Sequence, residues 1–239
     1  MATYVLVHGG GHGGWCYQKV KRLLERSGHE VFAPSLTGLA ERSRALAPDV
    51  DLDFHVDDVV RLMYYWDLHE VILVGHSYGG MVITGAADRA TDRVGKVVYL
   101  DAANPANGQS LVDVAGPMIE MTRPGGEVVD GVELVLLPAP GAAAFYGVTD
   151  PADLEWADAR LTAHAWKCFE QKLTLTHEDA LWAIPRFHIV CESTLTTRDP
   201  EMIAAARAEG RLWHIDTGHD LMITEPQFVA DALVEIAER

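Results

Sequence analysis

Gly75-His76-Ser77-Tyr78-Gly79 sets a serine between two glycines, each two residues away, with Gly80 immediately after. The pentapeptide stands where an apolar, β-branched run, Glu70–Gly75, gives way to a helical pattern that extends to about Ala90. A sharp strand-to-helix turn at such a junction lifts a serine hydroxyl above the end of a sheet, and glycines let the backbone crowd around it. A plainer alternative is a glycine-rich turn whose serine caps the helix. A second motif weighs against that alternative. His8-Gly9-Gly10-Gly11-His12-Gly13-Gly14-Trp15 follows the first apolar run directly. A serine nucleophile needs two backbone N–H groups aimed at the oxyanion that develops when it attacks a carbonyl. Tyr78, the residue after the serine, offers one; the glycine loop offers the other, through Gly10 or its neighbour Gly11.

The same loop also satisfies G-x-G-x-x-G through Gly9, Gly11 and Gly14, the spacing of a dinucleotide-binding turn. That reading requires an acidic residue at the end of the second strand, which instead ends Phe32-Ala33-Pro34-Ser35. It also leaves the serine motif unexplained. Among eleven histidines, His219 is singled out by its place in Thr217-Gly218-His219-Asp220, between the last strand-like run and the last helix. From that loop it can reach the sheet edge where Ser77 lies and take the serine proton. Two carboxylates compete to orient His219: Asp101, at the end of Lys96–Asp101, is the first choice, and Glu192, at the tip of Arg186–Cys191, the second. No metal site is expected. His8 and His12 have no carboxylate at ligand spacing, and the acids from Asp49 to Asp58 lack calcium-loop spacing.

These groups need a scaffold, and the chain supplies one. Apolar runs at Thr3–Val7, Glu30–Ala33, Glu70–Gly75 and Lys96–Asp101 alternate with helical patterns at Trp15–Ser27, Phe54–Trp66 and Ser77–Ala90. The alternation returns with Arg186–Cys191, Pro200–Glu209, Arg211–Ile215 and a last helix from Pro226 with Thr224 as its cap. Such alternation predicts an α/β fold with a mostly parallel sheet and helices on both faces. Residues 104–185 break the rhythm with Pro117, Pro124, Pro138 and Pro140, and read as a helical cap inserted between core segments 1–103 and 186–239. Its aromatics, with Tyr146, Trp156 and Trp166 foremost, together with Leu221, are candidates to line an apolar substrate pocket, although most of the cap aromatics are expected to pack the cap onto the sheet.

Nineteen basic against 35 acidic residues give a net charge of −16, which argues against nucleic acid or an anionic membrane as partner. Three scattered cysteines, with neither a leader-like N-terminus nor a membrane-length apolar run, suit a cytoplasmic protein with reduced thiols. Either a monomer or a homodimer is compatible with this composition.

Taken together, His8–Trp15, Gly75–Gly80 and Gly218-His219 resemble the α/β-hydrolase superfamily, from Thr3 to Ile236 and most weakly through the cap. The chain is similar to the plant methylesterase and hydroxynitrile lyase group and to bacterial carboxylesterases of the pyrethroid-hydrolase kind. The resemblance implies the α/β-hydrolase fold, no cofactor, and a serine esterase acting on a hydrophobic small-molecule ester. Hydroxynitrile lyases of this group have a lysine after the catalytic histidine and a threonine in the oxyanion loop; Asp220 and Gly9 stand there instead, which favours hydrolysis. One departure is the acid. The family usually places it a few residues beyond the strand Arg186–Cys191, yet the first aspartate there is Asp199, which precedes Pro200 and reads as a helix N-cap. Asp101 instead resembles the acid position of pancreatic-type lipases. The same fold hosts lyases and cofactor-free oxygenases, and a poorly catalytic ligand-binding protein is a further alternative.

Overall fold

The computed structural model describes residues 1–239. The first half runs β1 (Thr3–Val7), α1 (Gln18–Arg26), β2 (Glu30–Phe32), α2 (Leu52–Tyr65), β3 (Val71–His76), α3 (Gly79–Arg89) and β4 (Val94–Leu100). An insertion follows: α4 (Leu111–Glu120), β5 (Glu127–Val129), β6 (Val132–Val135), α5 (Ala142–Phe145) and α6 (Pro151–Asp158), then β7 (His164–Ala165), α7 (Lys167–Glu170) and α8 (Glu178–Ala183). The core resumes with β8 (Arg186–Cys191), α9 (Glu192–Leu195), α10 (Pro200–Ala208) and β9 (Leu212–Ile215), and closes with α11 (Leu221–Thr224) and α12 (Pro226–Glu238).

Six strands form one sheet in the order β2-β1-β3-β4-β8-β9, and every neighbouring pair is parallel. Side chains alternate across it: Val5 and Val7 of β1 face the layer of α2 and α3, while Tyr4 and Leu6 face that of α1 and α12. All six residues of β3 are buried, as expected of a central parallel strand covered on both faces. Each fully buried aliphatic side chain here contributes roughly 1.5–3 kcal/mol. Caps set the helix starts. Asp51 accepts from the Phe54 N–H at the head of α2, and Asp199 accepts from the Glu201 N–H at the head of α10. The last helix differs from expectation: Glu225 precedes it, and Thr224 instead ends α11 with its hydroxyl 2.8 Å from that of Thr217.

The cap is not purely helical. It contains an antiparallel sheet, β5-β6-β7. Asp130 and Gly131, with φ of 49° and 82°, form the turn between β5 and β6, the Asp-Gly turn that matches strand twist in a two-residue hairpin. Val128, Val129, Val132 and Val135 supply the β-branched flanks.

Candidate active site

The sheet's central strands end in one neighbourhood, and the proposed chemistry gathers there. Ser77 follows β3 directly and holds φ at +53°, a left-handed conformation uncommon for a residue with a Cβ. The surroundings keep it there. Its carbonyl accepts from the N–H groups of Gly80 and Ala103, both at 3.0 Å, and a Cβ on Gly9 would lie 2.8 Å from the Ser77 Cβ. Both approaches depend on glycine. At Gly80 a Cβ would run into the Ala103 carbonyl oxygen.

His219 lies half-buried on the loop between β9 and α11, and its Nδ1 stands 2.5 Å from Asp101 Oδ2. Asp101 follows β4 and is itself in the left-handed region, at φ 44°. Its side chain is fully buried. The second carboxylate oxygen accepts from the Thr194 hydroxyl at 2.5 Å, the Arg198 guanidinium at 2.6 Å and the Cys191 N–H at 3.3 Å. Burial alone would raise this carboxyl. The hydrogen bond and charge of His219, with Arg198 and Thr194, hold it well below the usual carboxylate range. With Nδ1 committed to Asp101, Nε2 is the ring nitrogen of His219 left to act as a base.

Glu192 takes no part. The chain turns into α9 at that residue and carries the side chain outward, where it pairs with His214 at 3.3 Å and is 51% exposed. Gly11 is also corrected: its N–H is spent on His164 Nδ1 at 3.2 Å. The N–H groups of Gly10 and Tyr78 have no acceptor within the protein. Around Gly10 the cap closes in, with Leu136 Cδ1 and Phe169 Cζ each 3.0 Å from where a Gly10 Cβ would stand. Tyr146 packs its ring edge-on against His12, centroids 4.8 Å apart, and 6.4 Å from the His219 ring.

Three expected pocket residues serve packing instead. Trp166 is 2% exposed, donates its indole N–H to Glu170 and lies beneath the Arg123 guanidinium. Trp156 packs edge-on against Trp15 and carries Arg160 on its ring. Leu221 is fully buried in the core beside α12. An open groove of about 400 Å³ does touch Trp166, between Val112, Glu120, Arg123, Pro124 and Glu170, but it includes none of Ser77, His219 or Asp101. Leu136, Thr194 and Arg198 were not singled out from the sequence. No motif marks them, because their roles depend on where the cap and α9 settle.

One cluster has metal-ligand chemistry: His55, His164 and Cys168 bring ligand atoms within 4.8 Å of one another. Three of its four ring nitrogens are already engaged. His55 Nδ1 accepts from the Tyr78 hydroxyl and its Nε2–H donates to the Thr37 carbonyl, while His164 Nδ1 accepts from Gly11. Burial also pushes the Cys168 thiol up to about 12, against the thiolate a metal requires. The cluster is better described as hydrogen-bonded packing behind Tyr78.

Residues 4–232 match the alpha/beta hydrolase family. The chain belongs to that family. Among this hydrolase's relatives is the carbendazim hydrolyzing esterase of a Nocardioides species, 34% identical over 248 residues that cover 99% of this chain and 100% of the relative. Methylesterase 2 of Arabidopsis thaliana is 28% identical over 253 residues, covering 98% and 95% of the two chains. Among solved structures, tomato methylketone synthase I superimposes with a TM-score of 0.82 at 20% identity, over 99% of this hydrolase and 98% of that chain. At that identity the likeness speaks to the fold alone. No helix of the hydrolase is long and apolar enough to cross a membrane.

Proposed function

We propose that this carboxylic ester hydrolase cleaves small hydrophobic esters through an acyl-enzyme on Ser77, with His219 as general base and Asp101 as its orienting acid. The observation that carries the reading is the 2.5 Å bond from His219 Nδ1 to buried Asp101, with Ser77, held at φ +53°, tied through its carbonyl to the Ala103 N–H in the turn that follows Asp101. The Ser77 hydroxyl gives its proton to His219 Nε2 as its oxygen bonds to the ester carbonyl carbon. The N–H groups of Gly10 and Tyr78 receive the oxyanion. Asp101 fixes the His219 tautomer and stabilises the imidazolium. Collapse of the tetrahedral intermediate breaks the bond to the alkoxide, which leaves with the proton from His219. Water then repeats the sequence on the acyl-enzyme and releases the acid.

Leu136, Phe169 and Tyr146 about the glycine loop support an apolar acyl or alkyl portion of modest size, as do the esterase names of the relatives. Three buried, unpaired cysteines support a reducing, cytoplasmic setting. A panel of methyl and aryl esters, followed by mass spectrometry of rapidly acid-quenched enzyme, tests the proposal. Turnover of apolar esters with an acyl adduct on Ser77 is expected. Preference for short charged esters, or turnover without an adduct, would contradict it.

A further inference from the structure

Beneath the proposed site lies a polar network that the hydrolytic steps do not use. His12 is 1% exposed, with Nδ1 2.7 Å from the Gly10 carbonyl oxygen and Nε2 2.9 Å from Asp220 Oδ2. Each ring nitrogen therefore faces an oxygen with lone pairs to share. A neutral imidazole has only one N–H and would set a lone pair against the other oxygen; an imidazolium satisfies both. One flank suits a cation: Trp15 stacks its face on the ring with centroids 5.5 Å apart. Tyr146 packs across it, centroids 4.8 Å apart at 72°. Asp220 supplies the countercharge and is fully buried, so each ion needs the other.

The partners of His12 give the network its meaning. The Gly10 carbonyl and the Gly11 N–H belong to one peptide group. His12 holds the carbonyl end and His164 Nδ1 the N–H end, the latter at 3.2 Å. A loop of consecutive glycines has no side chains to fix its peptide planes, and these two buried rings supply that restraint from opposite sides. Fixing that plane restrains ψ of Gly10 and anchors its Cα from the C-terminal side; the preceding peptide, which carries the Gly10 N–H, is held through its Gly9 carbonyl, 2.9 Å from His8 Nδ1. Asp220 immediately follows His219, so the same ion pair ties the glycine loop to the loop bearing the base. The nucleophile joins through His76, whose Nε2–H donates to the His219 carbonyl at 3.0 Å and lies 3.8 Å from Asp220 Oδ1.

We propose that His12, clamped as an imidazolium between the Gly10 carbonyl and Asp220, is a positioning residue that anchors the glycine loop whose Gly10 N–H receives the oxyanion. The proposal rests on the hydrolytic reading of Ser77 and adds a requirement to it. The groups facing His12 come from several elements: Asp220 before α11, His76 at the end of β3, Tyr146 after α5, Cys16 ahead of α1, and His8 and His164 on either side of the loop. Burial would discharge His12, but the charge and hydrogen bond of Asp220, with the Gly10 carbonyl, raise it above the ordinary histidine value.

Two measurements test this. In ¹⁵N-labelled wild-type protein, His12 should show two ring N–H signals with imidazolium shifts at pH 8, where an ordinary histidine is neutral. A single ring N–H there would overturn the proposal whether or not any variant folds. The paired variant His12→Gln/Asp220→Asn then removes both charges together and strands neither. We expect kcat for an ester to fall about 10- to 100-fold, the scale of a misplaced catalytic group, with KM within about twofold because ground-state contacts remain. The rate of fluorophosphonate labelling, whose phosphoryl oxygen occupies the oxyanion position, should fall in parallel. Wild-type kcat in a folded variant, or a loss confined to KM, would overturn the proposal. Failure of the hydrolytic reading looks different: the wild-type protein itself would neither label nor turn over.

Discussion

Mild acid should unfold this protein, because it buries several histidines as neutral rings that each use a nitrogen as an acceptor. His8 Nε2 accepts from the Leu36 N–H at 3.0 Å, His55 Nδ1 from the Tyr78 hydroxyl at 2.9 Å, and His164 Nδ1 from the Gly11 N–H at 3.2 Å. Protonating any of these breaks the bond and leaves a charge in the core. Burial, chiefly, lowers His8 and His76 to about 3 and His188 to about 4, and moves His55 and His164 the same way. In the unfolded chain all five titrate near 6.5. Between those limits the unfolded chain binds more protons than the native one, so the stability present above pH 6.5 is lost as the pH falls. Each such histidine costs about 1.4 kcal/mol per pH unit. His8, His76 and His188 alone therefore cost about 4 kcal/mol per unit between roughly pH 6 and 4. His12, charged throughout this window, adds nothing to the slope. At that slope below pH 6.5, a domain of about 5–10 kcal/mol total stability reaches its unfolding midpoint near pH 4–5. Circular dichroism and tryptophan fluorescence against pH, with Tm measured at each step, follow this directly. A Tm that is flat from pH 6.5 to 4.5 would refute the reasoning.

Asp101→Asn should leave the fold intact and lower kcat by about 10³–10⁴, because the amide favours the wrong His219 tautomer. Glu192→Ala should leave steady-state kinetics within about twofold. Gly80→Ala should destabilise by about 1–3 kcal/mol or more in urea titration, since its Cβ would collide with the Ala103 carbonyl and crowd the Ala102 side chain. At Gly116 nothing lies within 4 Å of a new Cβ, so Gly116→Ala should be neutral or stabilise by up to about 1 kcal/mol.

What could be read from the sequence was what local backbone geometry demands. The strained turn at Ser77 needs Gly75, Gly79 and Gly80 in immediate sequence, and the strand–helix rhythm needs only periodicity, so both left plain signatures. The hairpin at Asp130-Gly131 was less legible, because the prolines and glycines around it mask its short β-branched flanks. The choice between Asp101 and Glu192 was not local. It turned on the register of β4 against β8, which places the Asp101 N–H on the Ile189 carbonyl at 2.7 Å, and on the chain coiling into α9 at Glu192. His12 and Asp220 lie 208 residues apart, and no pattern in either neighbourhood announces the pair. The cap aromatics were ambiguous for a related reason. Trp156 and Trp166 carry the apolar area of a pocket wall, but a wall and a packing surface have the same composition until the cap is docked.

Labelling with a fluorophosphonate, followed by peptide mass spectrometry, tests the central claim most directly. The geometry predicts one adduct, on Ser77, that forms readily on the wild-type protein and is lost in His219→Ala. A folded wild-type protein that takes no label, or one that is labelled elsewhere and equally well without His219, would contradict an activated serine at the heart of this site.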